Sequence, residues 1–202
     1  MSGPRIAAPP GRAGRLWLER RLRAARRGAD LLDRKLRILQ AELAGLAEAA
    51  DLAEREWRDR AGAADRALII ASVLSGQRAI ELAAGPGYAD VAIGFTATVG
   101  VRRPAEATCT QPDRPLPWAS PPVTQAREAH RVALEAAVRY AAAARALEVV
   151  QTEAAAARVR LRAIKDRLIP GLEQARNEVV LAIDELERAD GARVRRAGLG
   201  TP

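Results

Sequence analysis

Apolar residues recur in alternating steps of three and four along both ends of this chain. The first series begins at Leu22 and reaches Trp57, and the second begins at Ala126 and continues to Leu186. Such spacing keeps the apolar residues on one face of a helix, so that two helices can pack along a common seam. The large residues of the predicted seam are Leu22, Leu32, Leu36, Leu39, Leu43, Leu46, Trp57, Leu147, Val150, Leu161, Leu168, Leu172, Val179 and Leu186.

The order of the two series along the chain limits how the helices can meet. Only an antiparallel arrangement, joined by the intervening residues, lets a single chain bury both series. The sequence therefore predicts a mainly α fold, a long antiparallel two-helix coiled coil with a small β-hairpin-containing insert between the helices. In this pairing we expect Leu22 near Leu186 and Trp57 near Val150, with both chain ends at one end of the helix pair.

Glycine and proline mark the limits of these segments. Pro9-Pro10-Gly11 precede the first series, Gly85-Pro86-Gly87 follow it, and Gly191 and Gly198 follow the second series. We expect five segments: a disordered N-terminal arm (residues 1–11), a first shaft helix (12–84), a β- and proline-rich head insert (85–122), a second shaft helix (123–190) and a flexible tail (191–202).

The insert between the helices has a different period. Apolar and small residues alternate over residues 91–101, which is typical of a β-strand. We expect a turn at Arg102-Arg103-Pro104 and a short returning strand over residues 105–110. Five prolines from Pro112 to Pro122 then predict a stiff linker that leads into the second helix.

A proline interrupts the second apolar series near its end. Pro170 lies between Leu168 and Leu172, where two four-residue steps fall together. Such a stutter locally unwinds a coiled coil. A proline inside a helix also removes one backbone hydrogen bond and clashes with the preceding turn, at a cost of about 3 kcal/mol. We therefore expect a kink in the second helix at Pro170.

Arginine supplies nearly all the positive charge, because Lys35 and Lys165 are the only lysines in a chain of net charge +8. The arginines crowd both chain ends, which the antiparallel pairing brings together. Basic clusters of this kind face solvent, or they bind nucleic acid or acidic protein surfaces. We call the expected cluster the basic tip, and its residues are Arg12, Arg15, Arg20, Arg23, Arg193, Arg195 and Arg196.

Residue types that serve catalysis or metal binding are sparse. His130 and Cys109 are the only histidine and cysteine, so no His/Cys metal cluster can form. No Gly-Lys-Ser/Thr phosphate loop is present. Acidic residues such as Glu42 and Glu148 lie among arginines at helical spacings, which favours surface ion pairs. We expect no catalytic site, no cofactor and no metal, and also no membrane-spanning helix, because no stretch of 18 uncharged apolar residues exists.

Three segments resemble one known family. The run from Pro10 to Leu39, with Arg27-Gly28, Leu31-Leu32 and Lys35, resembles its N-terminal helix. The run Leu168-Ile169-Pro170-Gly171-Leu172-Glu173 resembles its C-terminal helix, which carries an Ile-Pro-x-Leu-Glu kink. The run Thr98-Val99-Gly100-Val101-Arg102-Arg103-Pro104 resembles its central Gly-Val-x-x-Pro segment. The family is that of the D subunits, the central rotor shafts of the vacuolar/archaeal-type (V/A) ATPases; the proline-rich residues 108–122 depart from its pattern.

The resemblance implies a central-stalk subunit that transmits torque between ATP hydrolysis or synthesis in a catalytic ring and ion translocation by a membrane ring. The chain itself would catalyse nothing. The implied partners are the catalytic and non-catalytic subunits of the head ring, a small globular central-stalk subunit (F-like) and the funnel subunit over the membrane ring (C/d-like), with no nucleic acid. The implied location is cytoplasmic, peripheral to the membrane within a membrane-bound complex, in a prokaryote.

A denser group of apolar residues follows Trp57, where the regular spacing loosens. Together with the predicted strand, these residues present more apolar surface than one partner helix can cover, and such surface marks protein interfaces. In the family, the stalk and funnel subunits bind this half of the shaft. We expect these residues to bind them: Leu68, Ile69, Ile70, Val73, Leu74, Val91, Ile93, Phe95 and Val99.

Two other functions stay open on the sequence alone. A nucleic-acid-binding coiled coil would use the basic tip, although Trp17 is the only aromatic residue near it that can stack on a base. A generic antiparallel coiled-coil adaptor would show the same two apolar series. The irregularity at Pro170 and the alternating insert favour the rotor shaft over a plain adaptor.

Overall fold

Four α-helices and one β-hairpin make up the part of the chain that the structure, a computed structural model, describes, namely residues 6–84, 87–112 and 115–198. In chain order the elements are α1 (Gly11–Ser75), α2 (Gln77–Ala84), β1 (Asp90–Thr98), β2 (Val101–Thr110), α3 (Pro121–Ala163), a π-helical turn (Ile164–Leu168) and α4 (Ile169–Gly198). The predicted fold class, mainly α with an antiparallel hairpin between long helices, is confirmed. The predictions for residues 1–5, 85–86, 113–114 and 199–202 fall outside the described residues.

The chain forms two compact units, which are Met1–Arg37 with Ala155–Pro202, and Ile38–Ala154. In the first unit, α1 packs antiparallel against α4. Arg12 Nη2 lies 2.8 Å from Glu187 Oε1, and Arg26 Nη2 lies 2.7 Å from Glu173 Oε1, so residue numbers rise on α1 as they fall on α4. The buried core between these helices consists of Leu18, Leu22, Leu172 and Ala175.

Residues before α1 also pack onto this core. Ile6 and Ala8 are partly buried against the cluster, so the predicted disordered arm is wrong for the described residues that precede α1. The chain reverses closely at this point, because a Cβ added to Gly14 would lie 1.7 Å from the carbonyl oxygen of Pro9. A glycine at position 14 therefore allows the N-terminal residues to lie against α1.

The predicted irregularity at Pro170 takes the form of a π-helical turn directly before the proline. The N–H of Ile169 donates to the carbonyl oxygen of Ile164, five residues earlier instead of four. Proline has no N–H, and its ring would clash with the carbonyl four residues before it in a regular α-helix. A wider turn with one extra residue accommodates this proline while the helix continues into α4.

The extra residue changes which side chains face the core. Ile169 packs against the buried cluster of the first unit, whereas Leu168 is 39% exposed. Leu186, further along α4, is also exposed. The assignment of Leu168 and Leu186 to the seam is therefore wrong, and Ile169 occupies the inward position that the three-four count gave to Leu168.

The predicted pairing of the two helices is wrong in register. Leu22 shares its cluster with Leu172 and Ala175 and not with Leu186. In the second unit the Trp57 ring stacks on Tyr140, ten residues from Val150, with ring centroids 5.3 Å apart. The end of the second helix is also later than predicted, because α4 continues to Gly198 instead of ending near residue 190. Alanine side chains are small and uniform along the seam. They therefore determine which face of each helix is buried, but not the axial position of one helix relative to the other.

The first long helix ends earlier than predicted. Gly76 adopts a positive φ of 80° and its N–H donates to the carbonyl of Ser72, which terminates α1 at Ser75. Glycine adopts this left-handed conformation without steric cost and commonly ends helices. The predicted single helix over residues 12–84 is therefore wrong, and α2 packs separately on a small core of the second unit. The buried residues of this core are Ala71, Val123 and Ala126.

The hairpin turns at Val99-Gly100 and not at Arg102-Arg103-Pro104. Both turn residues have positive φ, 45° for Val99 and 80° for Gly100, as a two-residue type I′ turn requires. The predicted turn residues belong to β2 instead. Pro104 lies opposite Phe95, next to an irregularity in the register, where a missing N–H disturbs the ladder least.

Val99→Asn is expected to stabilise the hairpin by about 1 kcal/mol, because a β-branched residue is strained at positive φ whereas Asn-Gly is the preferred type I′ pair. The change appears as slower amide hydrogen exchange in β1 and β2. Thr108→Asn, at an exposed strand position of the same hairpin, is the matched control and gives no stabilisation. Exchange that is unchanged or faster in the Val99 variant contradicts the assigned turn.

Candidate partner-binding surfaces

The hairpin is fastened to α1 by one carboxylate. Glu42 Oε1 accepts hydrogen bonds from Thr98 Oγ1 at 3.1 Å and from Arg103 Nε at 3.0 Å, and it also pairs with Arg103 Nη2. The side chains of Arg103 and Glu42 are only 17% and 19% exposed. Val101, next to the turn, is buried as well. The turn end of the hairpin is therefore held against the helix by a largely desolvated ion pair.

Sequence reasoning treated Glu42 as one of many surface acids and missed this contact. Glu42 lies beside Leu39 and Leu43, so one side of its turn already faces the helix seam. This position next to the seam was the only sign in the sequence that Glu42 could be buried. Its partner, Arg103, lies 61 residues away in sequence and could not be identified from local spacing. The second oxygen, Oε2, is buried without a hydrogen-bond partner among the described residues. The site is therefore costly to disturb, because removing Arg103 would leave a buried carboxylate unpaired.

A double-mutant cycle tests the strength of this contact. Glu42→Ala and Arg103→Ala, alone and together, are expected to give a coupling energy of about 1–3 kcal/mol in urea unfolding, since the pair is largely desolvated. The matched control is the exposed pair of Glu56 and Arg139, 3.0 Å apart and about half exposed. Its coupling should stay below about 1 kcal/mol. Equal coupling energies for both pairs would show that burial contributes nothing.

The apolar residues predicted to bind partners include an exposed group near the end of α1. Ile69, Ile70, Val73 and Leu74 are between 53% and 77% exposed, and Leu68 is half-buried. We call these five residues the shaft patch. Exposed apolar patches of this kind are common at protein–protein interfaces.

One face of the hairpin is also apolar and exposed. Val91, Ile93 and Phe95 alternate along β1 and are between 43% and 51% exposed, and we call them the hairpin face. The guanidinium of Arg102 lies 4.2 Å from the ring centroid of Phe95, so a cation borders this face at its turn end. Val99, the fourth predicted residue, is exposed in the turn itself.

The residues of the basic tip are all exposed in the first unit, but they do not converge at a point. Arg12 and Arg23 are separated by eleven residues of α1, which corresponds to about 16 Å along the helix. Arg193 follows Glu187, the partner of Arg12, by six residues, or about 9 Å. The arginines therefore form a basic strip along α1 and α4.

Acidic residues within this strip reduce its charge. Glu19 Oε1 lies 2.9 Å from Arg15 Nε, and Asp190 Oδ1 lies 3.0 Å from Arg193 Nη1. The hydrogen bond from Arg15, together with the nearby charges of Arg23 and Arg176, lowers the pKa of Glu19 below its ordinary value of 4.5. Glu19 is ionised at neutral pH. Any stability from its pairing is fully present above pH 4.5 and is lost as the pH falls through the lowered pKa.

The described part of the chain contains neither a metal-binding cluster nor a membrane-spanning helix. No group of three or more His, Cys, Asp or Glu residues lies close enough there to hold a metal ion. None of the helices in that part is long and apolar enough to cross a membrane.

Paired long helices with exposed apolar surfaces are typical of a structural subunit of a larger assembly. The profile of the ATP synthase D subunit family matches residues 16–198. The V-type ATP synthase D subunit of Thermotoga neapolitana is 28% identical over 197 residues, which cover 95% of this chain and 97% of that protein. The chain belongs to the ATP synthase D subunit family and is a V-type ATPase subunit.

Proposed function

We propose that this chain is the central-stalk rotor subunit of a V/A-type ATPase. It transmits torque between ATP hydrolysis or synthesis in the head ring and ion translocation by the membrane ring. The observation that carries the proposal is the family match over residues 16–198, which spans both long helical segments and the hairpin. In this role the chain holds no catalytic residue and remains peripheral to the membrane.

Contacts between the helices support a torque-bearing role. Torque is transmitted only if paired helices resist sliding and separation. In the first unit the fully buried Leu18 opposes such movement. In the second unit the stacked rings of Trp57 and Tyr140 do the same.

The basic strip is proposed to contact the catalytic and non-catalytic subunits of the head ring. A rotor meets each of these subunits in turn, so no single contact can be strong without trapping the rotor. Exposed arginines suit this requirement, because solvated ion pairs contribute only about 0–1 kcal/mol each. The arginine-rich strip of the first unit is therefore assigned to the head ring.

The second unit is proposed to bind the other stalk subunits. The shaft patch and the hairpin face supply exposed apolar side chains, which suit a lasting interface better than solvated charges do. The expected partners are a small globular central-stalk subunit and the funnel subunit over the membrane ring.

Neutralising the strip tests the assignment to the head ring. Changing Arg12, Arg193, Arg195 and Arg196 to Gln should leave the helices folded and ring assembly largely intact, with a modest loss of ATP-driven ion transport in the reconstituted complex. Removing the last twenty residues should impair transport more severely, because the final turns of α4 are then lost. Arg158→Gln, an exposed arginine outside the strip, is the matched control.

Binding to nucleic acid separates the proposal from its main alternative. Phosphate contacts by the same arginines would give an affinity that falls steeply with salt. If the purified chain bound duplex or single-stranded nucleic acid at sub-micromolar affinity in physiological salt, and did not join a head ring, the rotor assignment would be wrong.

A further inference from the structure

The second unit contains a cavity of about 650 Å³ beside the base of the hairpin. Leu68 of α1, Ile80 of α2 and Leu134 of α3 form apolar walls. Ala89, just before β1, lies on the remaining side. Gln111 closes this side further, because its side-chain amide donates to the carbonyl oxygen of Arg131 at 2.9 Å. The cavity is open to solvent on one side, and its volume is in the range of sites that bind small molecules.

One side of the cavity is polar and carries positive charge. Arg127, His130 and Arg131 line it from neighbouring turns of α3. No acidic side chain occurs among the described residues that line the cavity. His130 is held in place because its Nδ1 lies 2.9 Å from the carbonyl oxygen of Ala126. The cavity thus combines a hydrocarbon-like interior with a cationic edge.

The lining of the cavity favours a small amphipathic molecule. Small alanines such as Ala83 and Ala126 lie among the apolar walls, and the positive charge is confined to the side formed by α3.

We propose that this cavity binds a small amphipathic anion, a single carboxylate on an unbranched hydrocarbon chain. The carboxylate lies at Arg131, where a guanidinium can pair with both of its oxygens. The hydrocarbon chain lies against Leu68, Ile80 and Leu134. The proposal does not depend on rotation, and it is tested on the purified full chain without other subunits.

Calorimetric titration with sodium hexanoate, octanoate and decanoate, each below its micelle concentration, tests the site. One site per chain is expected, with an affinity that rises about fourfold for each added methylene group until the cavity is full. Arg131→Ala should weaken octanoate binding about 10-fold or more, because a charged hydrogen bond is lost. The neutral analogue 1-octanol should bind wild type and the Arg131 variant equally, and Arg158→Ala should match wild type.

Two variants that narrow the cavity provide an independent check. Ala89→Phe, outside the helices, and Ala83→Phe, on α2, should each weaken octanoate binding, with helix content and thermal midpoint measured to establish that the chain is folded. Binding at several sites per chain, an equal affinity of the Arg131 variant, or no dependence on chain length would overturn the proposal. Absence of carboxylate binding would also overturn it. If Arg131→Ala then weakened assembly with other stalk subunits, the cavity would be a contact between proteins.

Discussion

Leu18→Ala lowers the free energy of unfolding by about 2–5 kcal/mol, the usual cost of truncating a fully buried leucine. Leu18 has no exposed surface, and it packs with Leu22 and Leu172 in the core of the first unit. Helices that are held together by thin, alanine-rich seams have few side chains to compensate for such a loss. The effect is measured by urea unfolding followed by circular dichroism.

Leu16→Ala is the matched control for this change. Leu16 lies two residues earlier on the same helix and is 53% exposed. The same chemical change should therefore alter stability by no more than about 0.5 kcal/mol. The Leu18 variant should also couple ATP hydrolysis to ion transport poorly, because its helices separate more readily under load. Equal destabilisation by the two substitutions would contradict the assigned core of the first unit.

Val73→Asp in the shaft patch weakens binding to the other stalk subunits about 30-fold or more, the expected loss for a residue at the centre of an apolar interface. Val73 is 77% exposed, so the substitution leaves the fold of the isolated chain intact. The charge must lose its water when a partner covers the patch, and this cost appears only in the complex. The dissociation constants of the two complexes are measured by surface-immobilised binding assays.

Leu52→Asp provides the control for the shaft patch. Leu52 is also a large, exposed apolar residue of α1, but it lies outside the patch. The Leu52→Asp variant should bind both stalk subunits with the wild-type dissociation constants. An unchanged dissociation constant for the Val73 variant, or an equal loss for the Leu52 variant, would remove the assignment of the patch.

The apolar spacing predicted the type of fold because a three-four repeat allows only one buried face per helix. Leu22, Leu36 and Leu39 are accordingly buried. The register between the helices was not predictable in the same way, and Trp57 meets Tyr140 instead of the region of Val150. Axial position depends on contacts between distant residues, which a local period does not record.

Local turn chemistry was misleading in the insert. Arg102-Arg103-Pro104 has the composition of a turn, whereas Val99 is a β-branched residue that rarely adopts positive φ. The hairpin nevertheless turns at Val99-Gly100, where its buried end is fastened by Glu42 and Arg103. This contact between a helix and a strand overrides the local preference of the chain.

The candidate binding residues were predictable as exposed apolar positions, but their neighbourhood was not. Ile69 was identified because it departs from the three-four spacing of the first helix. Phe95 was identified because it belongs to the alternating pattern of a strand. The cavity beside Arg131 has no such signature, because segments from three helices and two loops form it. Only the folded chain brings those segments together.

A single-molecule measurement tests directly whether this chain rotates inside the head ring. Tyr88 is 95% exposed and Cys109 is the only cysteine, so Tyr88→Cys in a Cys109→Ala background gives one attachment point for a bead. With the head ring fixed to a surface, we expect ATP to drive the bead continuously in one direction. A bead that only fluctuates while the same fixed complexes hydrolyse ATP would contradict it.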